Sequence, residues 1–140
     1  MESKQVLSIE QMQHLQELGM KLDYNTMLSW IVDDRGKDKP LLCISSEALD
    51  YVDFNHYCLP AYTLQDILEL LPYKIVASYL NIGKKSFSGD VLFYIEYSNF
   101  GGYAISHFRS ESLLDAAYEM LCWCVENGHL KMKRNENKSI

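Results

Sequence analysis

The chain has 140 residues, 48% of them hydrophobic and 23% charged, with a formal net charge of −6. That length suits one domain around one core, and the composition is ordinary for a soluble globular protein. The acidity works against general binding to phosphate backbones and suits a basic partner, and no stretch approaches the roughly 18 apolar residues that a membrane span needs.

At the start, MESKQVLSIEQ holds no long apolar run, so no signal peptide is expected. A cytoplasmic, reducing setting follows, in which four cysteines stay free of disulfides. Residues 1–7 carry no clear pattern and are expected to fray. In SIEQMQHLQELG, Ser8 and Gln11 have the spacing of a capping box, and Ile9, Met12, Leu15 and Leu18 recur at helical spacing. Gly19 supplies a left-handed stop, so a first helix is predicted here. MLSWIV (27–32) and LLCIS (41–45) read as strands, joined into a hairpin by the polar DDRGKDKP. The following SSEALDYVDFNHYCLPAY (45–62) has two readings, a short strand near 51–54 or an ordered loop rich in aromatics.

TLQDILELLP predicts the second helix. Thr63 is its N-cap, Asp66 sits where the helix dipole favours a carboxylate, and Leu64, Ile67, Leu68 and Leu71 face one way. Pro72 ends it. Alternation then predicts three strands, near 75–82, 91–98 and 103–108, with GKKSFSGD and NFGG as the turns of a meander. Ser112 and Asp115 repeat the capping pattern before a third helix, closed by Gly128. The order is α-β-β-α-β-β-β-α. It predicts an α+β fold with a mostly antiparallel sheet, hairpin plus three-stranded meander, and three helices packed mainly on one face. On this reading 1–130 form a single domain. Residues 131–140 form a disordered basic tail, with Lys131, Lys133, Arg134 and Lys138 against Glu136.

The densest concentration of reactive side chains is AAYEMLCWCVENGHL, where Cys122 and Cys124 precede His129. Two positions apart on a helix, the thiols point about 200° from each other and cannot grip one ion together. Zinc ligands favour wider spacings and a second pair, and Cys43 and Cys58 have no close companions. The thiols therefore read as apolar filling of a buried helix, and His129 as a surface group facing the helix dipole. GKKS (83–86) lacks the glycine that a phosphate-binding loop requires five residues earlier, where Ser78 stands, and reads as a hairpin turn. No nucleophile elbow or catalytic cysteine motif is present, so no catalytic residue, metal ligand or cofactor is assigned.

Two weak binding candidates remain. Asp53 and His56 form a polar cluster in the 45–62 stretch, with Glu47, Asp50 and Asn55 nearby. His107 and Arg109 stand at a strand end next to Ser110–Ser112 and could meet an anion at the third helix's N-terminus. Trp30, Tyr94, Tyr97, Phe100 and Tyr103 lack interleaved Arg and Lys in an acidic chain and read as sheet packing rather than a platform for bases.

Three segments, LSIEQMQHLQELG, PAYTLQDILELLP and LLDAAYEMLCWCVENGHL, together resemble a family of short uncharacterised proteins from gut Bacteroides-type bacteria and their phages or mobile elements. They cover about a third of the chain and coincide with its three expected helices. The resemblance implies a small intracellular accessory protein and carries over no catalytic residues. The leading expectation is a non-catalytic protein-interaction module, a homodimer or the binder of a basic protein partner. The alternative is a small-molecule binder or enzyme using the 45–62 loop around Asp53 and His56.

Overall fold

The computed structural model describes residues 5–130. The chain forms an α+β fold with two antiparallel sheets. Residues 5–7 do not fray: Val6 bridges to Thr63, the Leu7 amide donates to the Tyr62 carbonyl at 2.9 Å, and both side chains are buried. Val6 and Leu7 suffice because each meets a core that local sequence does not reveal, and residues 1–4 lie outside the described residues. Helix α1 (Ile9–Glu17) starts as its caps dictate. Gln11 N–H donates to Ser8 Oγ at 3.1 Å, and Ser8 N–H donates to Gln11 Oε1 at 3.0 Å. Its stripe buries Met12 and Leu15 completely.

The first sheet has the order β2-β1-β3, from β1 (Leu28–Asp33), β2 (Leu41–Ile44) and β3 (His56–Pro60). The hairpin of β1 and β2 is as expected, with Trp30 opposite Leu42. Strand β3 is not where the sequence suggested a strand. It lies on the other side of β1, with Ile31 opposite Cys58 and Asp33 opposite His56. Ahead of it, 45–51 folds into α2 (Ser45–Ala48) and one 3-10 turn (Leu49–Tyr51), and residues 53–56 make a tight bend closed by an Asp53–His56 bridge. HYCLP shows little apolar alternation; its pairing comes from β1, a central strand with both edges to satisfy.

Thr63 and Asp66 close a second reciprocal capping box on α3 (Leu64–Leu70). The second sheet runs β4-β5-β6-β7, from β4 (Lys74–Ile75), β5 (Ser78–Phe87), β6 (Asp90–Ser98) and β7 (Ala104–Ser110). Two corrections arise here. The strand expected at 75–82 is split by a turn at Val76, and GKKS lies within β5 rather than in a turn. The connection narrows to Ser88 and Gly89, both at positive φ (53° and 94°), the pattern of a type I′ hairpin. Polar residues pass through a strand there because the hairpin reaches beyond β7 and its tip faces water on both sides.

Helix α4 (Leu113–Glu126) covers one face of this second sheet and touches α1 and α3. Against it lie Ile95 and Tyr97 of β6 and Ser106 of β7, whose hydroxyl donates to Met120 Sδ at 3.3 Å. Tyr97 is fully buried and its hydroxyl reaches the Pro72 carbonyl at 2.6 Å. From the first sheet, Leu59 joins the same core, and Trp30 and Val32 pack on it. The architecture therefore departs from a single sheet with three helices. The described residues hold four helices and two sheets, and α2 packs on β1 rather than joining the other three. None of the described helices is long and apolar enough to cross a membrane. The basic tail at 131–140 lies outside the described residues.

Candidate functional site

The loop DDRGKD between β1 and β2 folds around one carboxylate. Asp33 ends β1 with its side chain buried, and it accepts backbone N–H groups from Arg35 (2.9 Å), Lys37 (3.1 Å) and Asp38 (2.7 Å). Arg35 Nε adds a charged contact at 3.1 Å. The Arg35 guanidinium, helped by those amides, holds the Asp33 carboxyl far below the usual carboxylate range. Wrapping the loop this way delivers Asp38 to the bend before β3.

There His56 bridges two carboxylates. Its Nδ1 lies 2.8 Å from Asp53 Oδ1 and its Nε2 lies 3.0 Å from Asp38 Oδ2. An ionised carboxylate only accepts hydrogen bonds, so two such partners call for a proton on each ring nitrogen. Asp53, and then Asp38, accordingly raise the His56 pKa, and His56 in turn lowers that of Asp53. The cluster borders an open depression of about 370 Å³ that also meets Ile31, Lys39, Leu41, Asp50 and Tyr51. Asp33, Asp38 and His56 can each offer one ligand atom within 4.8 Å of the others. A cation there would compete with Arg35 and the loop amides for Asp33 and with both carboxylates for His56. The groups are committed to one another, and the arrangement acts as an electrostatic latch between the β1–β2 loop and β3.

The structure brings Asp53 and His56 together and places His107 and Arg109 elsewhere. Those two project from β7 on the face turned away from α4, engaging β5 and β6 rather than the helix N-terminus, which Ser112 caps. His107 Nδ1 lies 2.8 Å from Glu96 Oε1, and its ring stacks on Tyr94 with centroids 5.9 Å apart and planes within 9°. Arg109 sits 4.5 Å over the Phe87 ring. Lys85 lies over both Phe87 (5.3 Å) and Tyr94 (5.2 Å). Cations do interleave with aromatics, then, but across strands rather than along the chain. The aromatics grouped from sequence divide. Tyr97 points into the core, Trp30 belongs to the first sheet and donates to the Leu7 carbonyl, and Phe100 packs beside Tyr79.

The chain matches no protein-family model, curated protein or solved structure. Its sites therefore rest on their own geometry. Reading along the sequence missed Asp33, Arg35 and Asp38, which look like ordinary turn residues. The one usable signal was an Asp followed by Gly three positions later, the mark of a loop curling back on a carboxylate. It also missed a third feature, the surface between Leu41 and Phe54. There Leu41, Leu42, Ile44, Leu49, Tyr51, Val52 and Phe54 are all exposed, Leu49 by 79% and Phe54 completely.

Proposed function

We propose that this protein is a non-catalytic interaction module whose docking surface is the β2 edge of the first sheet together with the segment that follows it. The observation that carries this reading is the run of exposed large apolar side chains from Leu41 to Phe54. Isolated apolar residues at a surface are ordinary, but a run of seven within one short segment marks a place where another molecule is expected. Among the described residues strand β2 pairs only with β1, so its other edge offers backbone donors and acceptors to an added strand. Glu47 and Asp50 lie within this segment at exposed positions, which suits a partner with basic groups around an apolar centre. A second copy of the chain would bring like charges together, so a basic protein fits better than a homodimer. An intracellular accessory role of phage or mobile-element type agrees with the resemblance of the three helical segments.

The alternative, a small-molecule binder or enzyme at Asp53 and His56, has the 370 Å³ depression in its favour. Against it, that depression is open and the polar groups beside it are already paired.

The test compares the wild type with a Leu49→Asp/Phe54→Ser variant. Light scattering reads self-association, and affinity capture from the native host reads partners. We expect a protein retained by the wild type, released by salt and lost from the variant. Identical capture by both forms, with a monomer throughout, removes the reading.

A further inference from the structure

We infer that the outer face of the second sheet binds single-stranded nucleic acid, with a base stacking on Tyr94 and His107 while Lys85 and Arg109 take the phosphates. The platform is built by cross-strand register. Gly83, Tyr94 and Arg109 stand opposite one another on β5, β6 and β7, as do Asn81, Glu96 and His107. A Cβ at Gly83 would meet the Tyr94 hydroxyl at 2.6 Å and two of its ring carbons at 2.7 Å. The tyrosine therefore lies down over the glycine backbone and turns one ring face outward. The His107 ring lies nearly parallel to it, within 9° and with centroids 5.9 Å apart. Phe87 stands at 77° to Tyr94 and 69° to His107, forming a wall at one end. Lys85, His107 and Arg109 are exposed, and α4 lies on the opposite face.

Charge selects the occupant. From Lys74 to Arg109 the chain carries Lys74, Lys84, Lys85 and Arg109 against Asp90 and Glu96. Residues 5–73 hold eleven carboxylates against four Lys and Arg, and 111–130 hold four carboxylates and no Lys or Arg. Among the described residues the second sheet is thus the cationic part of an acidic protein, and the whole-chain charge conceals it. Glu96 faces His107 and accepts the Ser98 hydroxyl, so both its oxygens have partners within the sheet. An aromatic surface flanked by exposed cations fits a ligand that is planar and anionic at once, and a base with its phosphate is both. On binding, Lys85 swings from the ring face to a phosphate and leaves the ring to the base. An acidic peptide would satisfy the cations and leave the rings unused. This site is independent of the docking surface on the first sheet.

The test is fluorescence anisotropy of the full chain with labelled oligo-deoxythymidine and oligouridine, set against a duplex of equal length and against heparin. We expect binding of the single strands that weakens with salt and exceeds binding of duplex and heparin. Tyr94→Ala and Arg109→Gln should each weaken it roughly tenfold or more. Should Tyr94→Ala fail to fold, Lys85→Gln with Arg109→Gln, both at exposed positions, gives the same readout. The inference is overturned by absence of binding, by equal affinity for heparin or duplex, or by insensitivity to these variants. It is equally overturned if replacing Lys131, Lys133, Arg134 and Lys138 with Gln abolishes binding while the sheet variants leave it intact.

Discussion

Val76 is a β-branched residue at φ 58°, in the left-handed region, and it is 87% exposed. Its Cβ crowds the backbone there, and no burial compensates. Val76→Gly should therefore raise stability by about 1 kcal/mol, or a few degrees in Tm, after allowing for the added freedom of the unfolded chain. Thermal denaturation checks it, and a lower midpoint would mean that the angle carries no strain. The cysteines show how far single residues can be read. Helical geometry alone separated Cys122 from Cys124, and both are drawn into the helix packing, with thiols pushed up to about 11 by burial. Thiols held protonated in this way are poor nucleophiles at neutral pH. Val76 was not legible, because nothing local announces a turn between two β-branched or small apolar residues.

The elements that sequence reading located well are those whose ends are coded locally. Ser8, Thr63 and Ser112 each accept the amide of the residue three positions on, where capping geometry puts it. The latch joining the β1–β2 loop to β3 is different, for its His56–Asp38 contact spans 18 residues. Its pH dependence follows from its two shifts. The His56 pKa is raised above 6.5, so its contribution is complete below that value and is lost as pH rises through the folded-state pKa. The Asp53 pKa is lowered below 3.8, so its contribution is present above that value and is lost as pH falls through the folded-state pKa. Urea denaturation of the wild type against His56→Gln should show the greatest difference near pH 5–6 and a shrinking one as the solution becomes alkaline. A difference that stays constant across this range would show that the contacts are indifferent to protonation.

At the scale of the whole molecule, the two sheets share one core. Leu59 of the first sheet, Ile95 and Tyr97 of the second, and Met120 and Leu121 of α4 belong to the same buried cluster. A shared core predicts cooperative unfolding as one unit. Trp30 reports on the first sheet and Trp123 on α4, so Trp123→Phe and Trp30→Phe variants each leave one probe. Their fluorescence transitions should coincide with each other and with circular dichroism after allowing for each variant's own stability change. Separate transitions in both variants would divide the chain into two folding units. The charge distribution belongs to this scale as well, since the excess of Lys and Arg in the second sheet cannot be inferred from a net value.

By itself the sequence determined the α+β class, the three main helices with their caps, the β1–β2 hairpin and the placing of both helical cysteines on one apolar helix. All of these depend on periodicity, capping and turn chemistry within a few residues. Only the tertiary structure decided that the strands form two sheets, that β3 pairs across β1, and that Asp33, Asp38, Asp53 and His56 meet. It alone aligned Lys85, Phe87, Tyr94, His107 and Arg109 on one face. The physical reason is common to these cases: strand pairing joins residues far apart in the chain, and an edge or a face is chosen by what the rest of the molecule leaves uncovered.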